Sequence, residues 1–137
     1  MRFLFTHEKK FAAGMLIVIF LMISIKLISV VIMLSHAEQQ NDRFIGHIAN
    51  REYQQAFDLC MEGMQDELLG NPQALSQFET AGLDISRWEY IDQSIEENRA
   101  YFSGVFVQTT REEIEFNIWL KNTDKGWLVG EFWIIVP

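Results

Sequence analysis

Apolar residues fill positions 11–34 with one interruption. Beyond them they fall into a helical rhythm, and near the C-terminal end into strict alternation. The first stretch, Phe11 to Leu34, carries a single charge, Lys26. At 1.5 Å per residue a helix of that length spans about 36 Å, against a hydrocarbon core of about 30 Å. A soluble core helix keeps one polar face, and this stretch has none. It reads as a transmembrane helix. Ser35-His36-Ala37 resembles a signal-peptidase site, but the apolar part of a cleaved signal is only about 7–15 residues long. The expectation is therefore an uncleaved, single-pass signal-anchor, which a mature soluble chain starting at Glu38 would refute.

The segment from Ala37 to Asp42 is a short polar linker, compatible with a continuation of the membrane helix. Phe44, Ile45, Ile48, Ala49, Tyr53, Ala56, Phe57, Cys60, Met61, Met64 and Leu68 then recur at three- and four-residue spacing, which predicts one long amphipathic helix. Gly70, Asn71 and Pro72 supply its stop and the cap and first turn of a short second helix. That second helix turns Leu75 and Phe78 inward and ends at Gly82.

From there the period is two. Strands are expected at 88–95, 100–108, 114–120 and 127–136, the last pair joined by an Asp124-Lys125-Gly126 loop with glycine in the left-handed position. The predicted class is α+β: a four-stranded antiparallel meander, cystatin-like, with the long helix across one face. The divisions are a tail at 1–10, the span at 11–34, a linker at 35–43 and a folded domain at 44–137.

Charge supplies the orientation. Residues 1–34 hold Arg2, Lys9, Lys10 and Lys26 against Glu8, a sum of +3. The remainder holds eighteen acidic and seven basic residues, a sum of -11, which gives the net -8 of the chain. Basic residues before the span place the N-terminus in the cytoplasm and the domain outside, at an inner-membrane-type bilayer. So acidic a domain excludes nucleic acid as a partner, because phosphate is repelled.

Lys26 costs about 2.5–3.5 kcal/mol to insert. It is either tolerated by its apolar surroundings or paired with an acid on another membrane chain, since the span has no Asp or Glu. Past Gly14 no small-xxx-small motif supports dimerisation of the span.

Catalytic and cofactor signatures are missing. His7, His36 and His47 are scattered, and no Cys/His spacing suits a metal. No glycine-rich phosphate loop and no Gly-x-Ser-x-Gly occurs. Cys60 stands alone, so no internal disulfide forms. The acidic clusters read as solvated turns and a solvated helix face. The expectation is a non-enzyme without a cofactor.

Tryptophan is the anomaly. The even positions Ile114, Phe116, Ile118 and Leu120 form one face of the third strand. Pairing through the 124–126 loop matches them with Leu128, Gly130, Phe132 and Ile134. The opposite face then carries Trp119, Trp127, Val129 and Trp133, more aromatic surface than solvation explains. These four residues, with Lys26, are the candidate partner-binding set. The competing explanation is that the fourth strand is central and covered on both faces, or that the long helix covers this side.

Several local features combine into a resemblance: a membrane anchor, a helix bearing Ala56, then Leu69-Gly70-x-Pro72, a hairpin from Ala100-Tyr101 with Gly104, and Lys125-Gly126-Trp127 before the last strand. The chain resembles the membrane-anchored cytochrome oxidase assembly factor 1 family. It is also similar to small anchored domains of the nuclear-transport-factor-2-like (NTF2-like) or cystatin-like group. The first resemblance implies a non-catalytic accessory protein that helps a membrane complex, of respiratory type, assemble. The second implies a small-ligand cup in which the tryptophans line an apolar pocket. A closed pocket between helix and sheet favours the cup; a filled core with an open aromatic face favours the interaction module.

Overall fold

The computed structural model describes residues 2–80 and 84–135, with side chains outside positions 2–8, 78 and 80. The expected helix stop at Gly82, the side chain of Phe78 and the strand end at Val136 lie outside the described residues. The chain forms two compact units, Met1–Met33 and Leu34–Pro137.

Helix α1 runs over Arg2–Ala49. Within the first unit its apolar side chains from Phe11 to Ile32 are exposed, as suits a lipid solvent rather than a protein interior. It is long and apolar enough to cross a membrane. Ser24 donates to the Phe20 carbonyl at 2.8 Å, which satisfies its hydroxyl inside the helix.

The second unit is an α+β domain. Strands β1 (Ile85–Glu96), β2 (Arg99–Gln108), β3 (Glu113–Thr123) and β4 (Gly126–Ile135) form an antiparallel sheet in the order β1-β2-β3-β4. Directly opposed residues share a face. One face therefore gathers Phe102, Phe106, Phe116, Ile118 and Leu120, all buried. Phe106 stacks on Phe116 at 4.2 Å between centroids, and Phe44 of α1 meets Phe132 edge-on at 5.5 Å. The inner face is thus filled with side chains.

Two expectations for the helical part are corrected. The segment 35–43 continues the helix, as its sequence allowed, but it is no linker, because it contributes to the core: Ala37 and Asn41 are fully buried with Phe44, Ile45 and Ile48. Their spacing of four, three, one and three residues continues the apolar face of α1 back through residues that look polar in isolation. The single long helix expected over 44–68 is three pieces: the end of α1, then α2 (Tyr53–Asp58) and α3 (Glu62–Glu67).

Arg51 turns the chain with φ +63. Between α2 and α3 the backbone leaves the helix to pair with the sheet: Val129 N–H donates to the Leu59 carbonyl at 2.8 Å, and Met61 N–H donates to the Val129 carbonyl at 2.7 Å. Those bonds replace the helical ones, so the break leaves these polar groups satisfied. Each piece buries its own apolar residues (Tyr53 and Ala56, then Met64), which is why the periodicity runs on across the breaks.

The turn signals are found as expected. The Asn71 side chain accepts from the Gln73 N–H at 3.1 Å and opens a 3₁₀ turn over Pro72–Ser76. Gly126, at φ +93, closes the β3–β4 turn.

Candidate functional site

The tryptophan face divides at a bulge. Up to Trp119↔Glu131 the β3–β4 register is regular, with Phe116 opposite Ile134 and Ile118 opposite Phe132. It then slips, so that Leu120 faces Val129 and Asn122 faces Trp127. Gly130 is the extra residue. A one-residue slip moves everything beyond it to the other face. Trp127 and Val129 therefore lie on the inner side, buried with Leu120, and not beside Trp119 and Trp133 as the strict alternation predicted.

The bulge is held by Trp119. A Cβ on Gly130 would overlap the Trp119 ring, so the indole lies directly against the glycine backbone. Trp119 Nε1 donates to Glu131 Oε2 at 2.8 Å, and the Arg99 guanidinium sits 5.0 Å from the ring centroid on β2's side. Half-buried Trp119 is thus engaged within its own domain. Of the five candidate partner-binding residues, only Trp119 and Trp133 share the outer face. Lys26 belongs to the other unit, where it is exposed and has no ion pair among the described residues.

Two cross-strand rows surround these tryptophans. One runs Asp92–Ser103–Asn117–Trp133 and the next Ser94–Tyr101–Trp119–Glu131. Between them lies a groove of about 250 Å³ lined by Asp92, Ser94, Tyr101, Ser103, Asn117 and Trp133. Tyr101 is 36% exposed and Trp133 41%. Among the described residues none of these six side chains has an internal hydrogen bond or ion pair. The sequence reading singled out Trp133 but not its polar companions, which only the sheet register brings into line.

A second cluster went unnoticed because half of it lies in the supposed linker. Asp42 Oδ1 accepts from Trp88 Nε1 at 2.9 Å and from the Tyr90 hydroxyl at 2.5 Å. Tyr90 in turn accepts from Asn41 Nδ2 at 3.2 Å. Because the Tyr90 proton goes to Asp42, its oxygen is free only to accept, which fixes the Asn41 amide with its buried Oδ1 unpaired by protein. The visible signal was Asn41 on the helical spacing of Phe44 and Ile45.

Burial first, then the hydrogen bond to Asp42, pushes the Tyr90 hydroxyl well above its usual range. Burial likewise pushes the Cys60 thiol up to about 12. Both groups stay protonated in the fold while the unfolded chain ionises, near 9.0 for the thiol and 10.0 for the phenol. At these two groups the unfolded state then binds fewer protons, so their contribution to stability is constant below about pH 9 and falls above it. The loss is about 1.4 kcal/mol per pH unit for each group once past its unfolded value. Denaturant midpoints between pH 7 and 11 should show this decline. Cys60→Ala should remove the part beginning near 9, and Tyr90→Phe its share of the part beginning near 10, to which Tyr53, raised by burial and by its bond to Glu79, also contributes. Tyr90→Phe should also lower the neutral-pH baseline by about 1–3 kcal/mol, because Asp42 loses a donor.

Among the described residues no group of three His, Cys, Asp or Glu side chains is placed to hold a metal ion. A smaller cavity of about 50 Å³ includes Arg51, Tyr53, Glu79 and Asp84 in its lining. There Tyr53 donates to Glu79 at 2.7 Å, Arg51 pairs with Glu79 at 3.2 Å and Thr109 donates to Asp84 at 2.8 Å, so its charged groups already have partners.

Comparison with solved structures shows what fold this is. A Campylobacter jejuni protein designated an NTF2-like transpeptidase superposes with a TM-score of 0.56 at 10% identity, over 69% of this chain and 96% of that one. The likeness shows an NTF2-like α+β fold. A DUF4783 family protein from Bacteroides ovatus aligns at a TM-score of 0.40 and 19% identity, over 48% of this chain and 60% of that one. No family model and no curated protein matches the chain. Nothing among these comparisons supports the oxidase assembly-factor resemblance.

Proposed function

We propose that this chain is a membrane-tethered NTF2-like binding domain, held outside the cytoplasm, that takes its ligand on the outer face of the sheet. The observation that carries the reading is the groove beside Trp133, whose polar side chains have no internal partner among the described residues while the inner face is filled. A ligand cup between helix and sheet is disfavoured by the close packing of Phe44, Phe102, Phe106 and Phe116 there. The tether rests on the apolar, exposed first half of α1, and the orientation on its basic flank.

Catalysis is no part of the proposal. Transpeptidation needs an activated nucleophile. Cys60 is buried with its thiol held protonated, and no serine among the described residues is hydrogen-bonded to a histidine. The neighbour's designation is therefore not carried over.

Topology reporters test the reading. Alkaline phosphatase fused after Pro137 should be active, and a fluorescent protein that matures only in the cytosol should stay dark at the same site. The fusion should remain in the membrane fraction with residues 1–34 detected by mass spectrometry. A bright cytosolic reporter, or release of a soluble chain, would overturn the proposal.

A further inference from the structure

We infer that the outer-face groove is a saccharide site, one that takes a neutral pyranose against Trp133 and Tyr101. This inference rests on the outer-face reading above and names the ligand class for it. A pyranose presents a flat C–H face and a rim of hydroxyls. The groove offers two exposed aromatic rings, together with four short polar side chains on neighbouring strands, Asp92, Ser94, Ser103 and Asn117. An aromatic face packs against the C–H surface. The polar row supplies donors from the Asn117 amide and the two serine hydroxyls, and acceptors at Asp92. A sugar hydroxyl both donates and accepts, so it matches such a mixed row.

Three features narrow the class. The volume, about 250 Å³, lies just below the range of drug-sized pockets, about 300–1,000 Å³, and suits a ring or two rather than an extended chain. The polar groups stand on adjacent β-strands, so they are positioned before binding and little ordering is required. The charge nearby is acidic on balance: Asp92 is in the groove, Glu131 is in the next row and Glu89 and Glu115 flank the other side, while neither groove row holds a base. The row beyond sets Glu96 beside Arg99 and Lys121, and Arg99 is committed to the Trp119 ring. That combination repels phosphates and uronates and accepts neutral sugars. A peptide adding to the sheet would seek a strand edge, and this groove lies on a face.

The test is a titration of the full chain in detergent micelles with tri-N-acetylchitotriose and maltotriose, read by tryptophan fluorescence and calorimetry. A hyaluronan tetrasaccharide serves as the anionic probe and a lysine-containing hexapeptide as the peptide probe. At least one neutral trisaccharide should bind, and Trp133→Ala and Asn117→Ala should each weaken it about tenfold or more. Both sites are at the surface, so the variants should melt with the parent protein, and Asn117→Asp provides a near-isosteric second check. Binding unaltered by these substitutions, binding of the anionic probe alone, peptide binding alone, or no binding would each overturn the saccharide assignment. The topology reporters are read separately, so failure of this assignment is distinct from failure of the tethered-domain reading.

Discussion

Replacing Phe116 with alanine should bring the domain close to unfolding. The ring is fully buried, stacked on Phe106 and edge-on to Tyr90 at 6.2 Å. Truncating such a ring removes its transfer free energy and leaves a cavity that neighbouring rings cannot collapse into, a cost of about 3–5 kcal/mol. A domain of this size holds about 5–15 kcal/mol in total. At about 4–8 °C per kcal/mol, the melting temperature should fall by about 12–40 °C. Trp119→Ala is the contrasting case. It loses a surface cation–π contact, a solvent-facing hydrogen bond and the cover over Gly130, about 1–2 kcal/mol together. Melts of the two variants of the full chain in detergent should therefore separate clearly. Equal depression would place Trp119 in the core.

Gly104→Ala should be worse still. A Cβ there would overlap the Glu89 carbonyl oxygen of the neighbouring strand and come within 2.9 Å of Phe116 Cζ. The ring can shift, but the backbone oxygen belongs to the β1–β2 ladder and can yield only by opening the pairing of Tyr90 with Gly104. The expected result is insoluble or unfolded protein. The double variant Gly104→Ala, Phe116→Leu should not recover it, because relieving the ring leaves the carbonyl clash in place. Recovery would assign the conflict to Phe116 alone.

The fold class, strand count, meander order and turns at Asn71 and Gly126 were legible because each rests on local chemistry: alternation, capping and glycine's access to positive φ. What failed to show was non-local. Residues 35–43 look like a linker until the face continuing back from Phe44 is followed. The breaks near Arg51 and Leu59 are hidden because the apolar spacing survives them, and the second is made by Val129, seventy residues away. The tryptophan face was read from an unbroken period of two, and a single bulge at Gly130 sends Trp127 and Val129 inward. The groove is a product of register: Asp92, Ser103 and Asn117 lie on three strands, and nothing in their sequence neighbourhoods joins them.

The two sides of the sheet end differently. Strand β4 is shielded at Val129 by the Leu59–Met61 backbone, whereas β1, twelve residues long, has no further strand beyond it among the described residues. An open edge of that length is a template for another chain, and this one is spoiled as a template. Its ladder is interrupted between Tyr90 and Asp92, where Ile91 is pushed out to 70% exposure, and Arg87, Glu89, Asp92 and Glu96 line the strand with charge. The irregularity at Ile91 thus works against edge-to-edge pairing of two β1 strands. Deletion of Ile91 should straighten the strand and increase self-association of the full chain in detergent, read by sedimentation velocity.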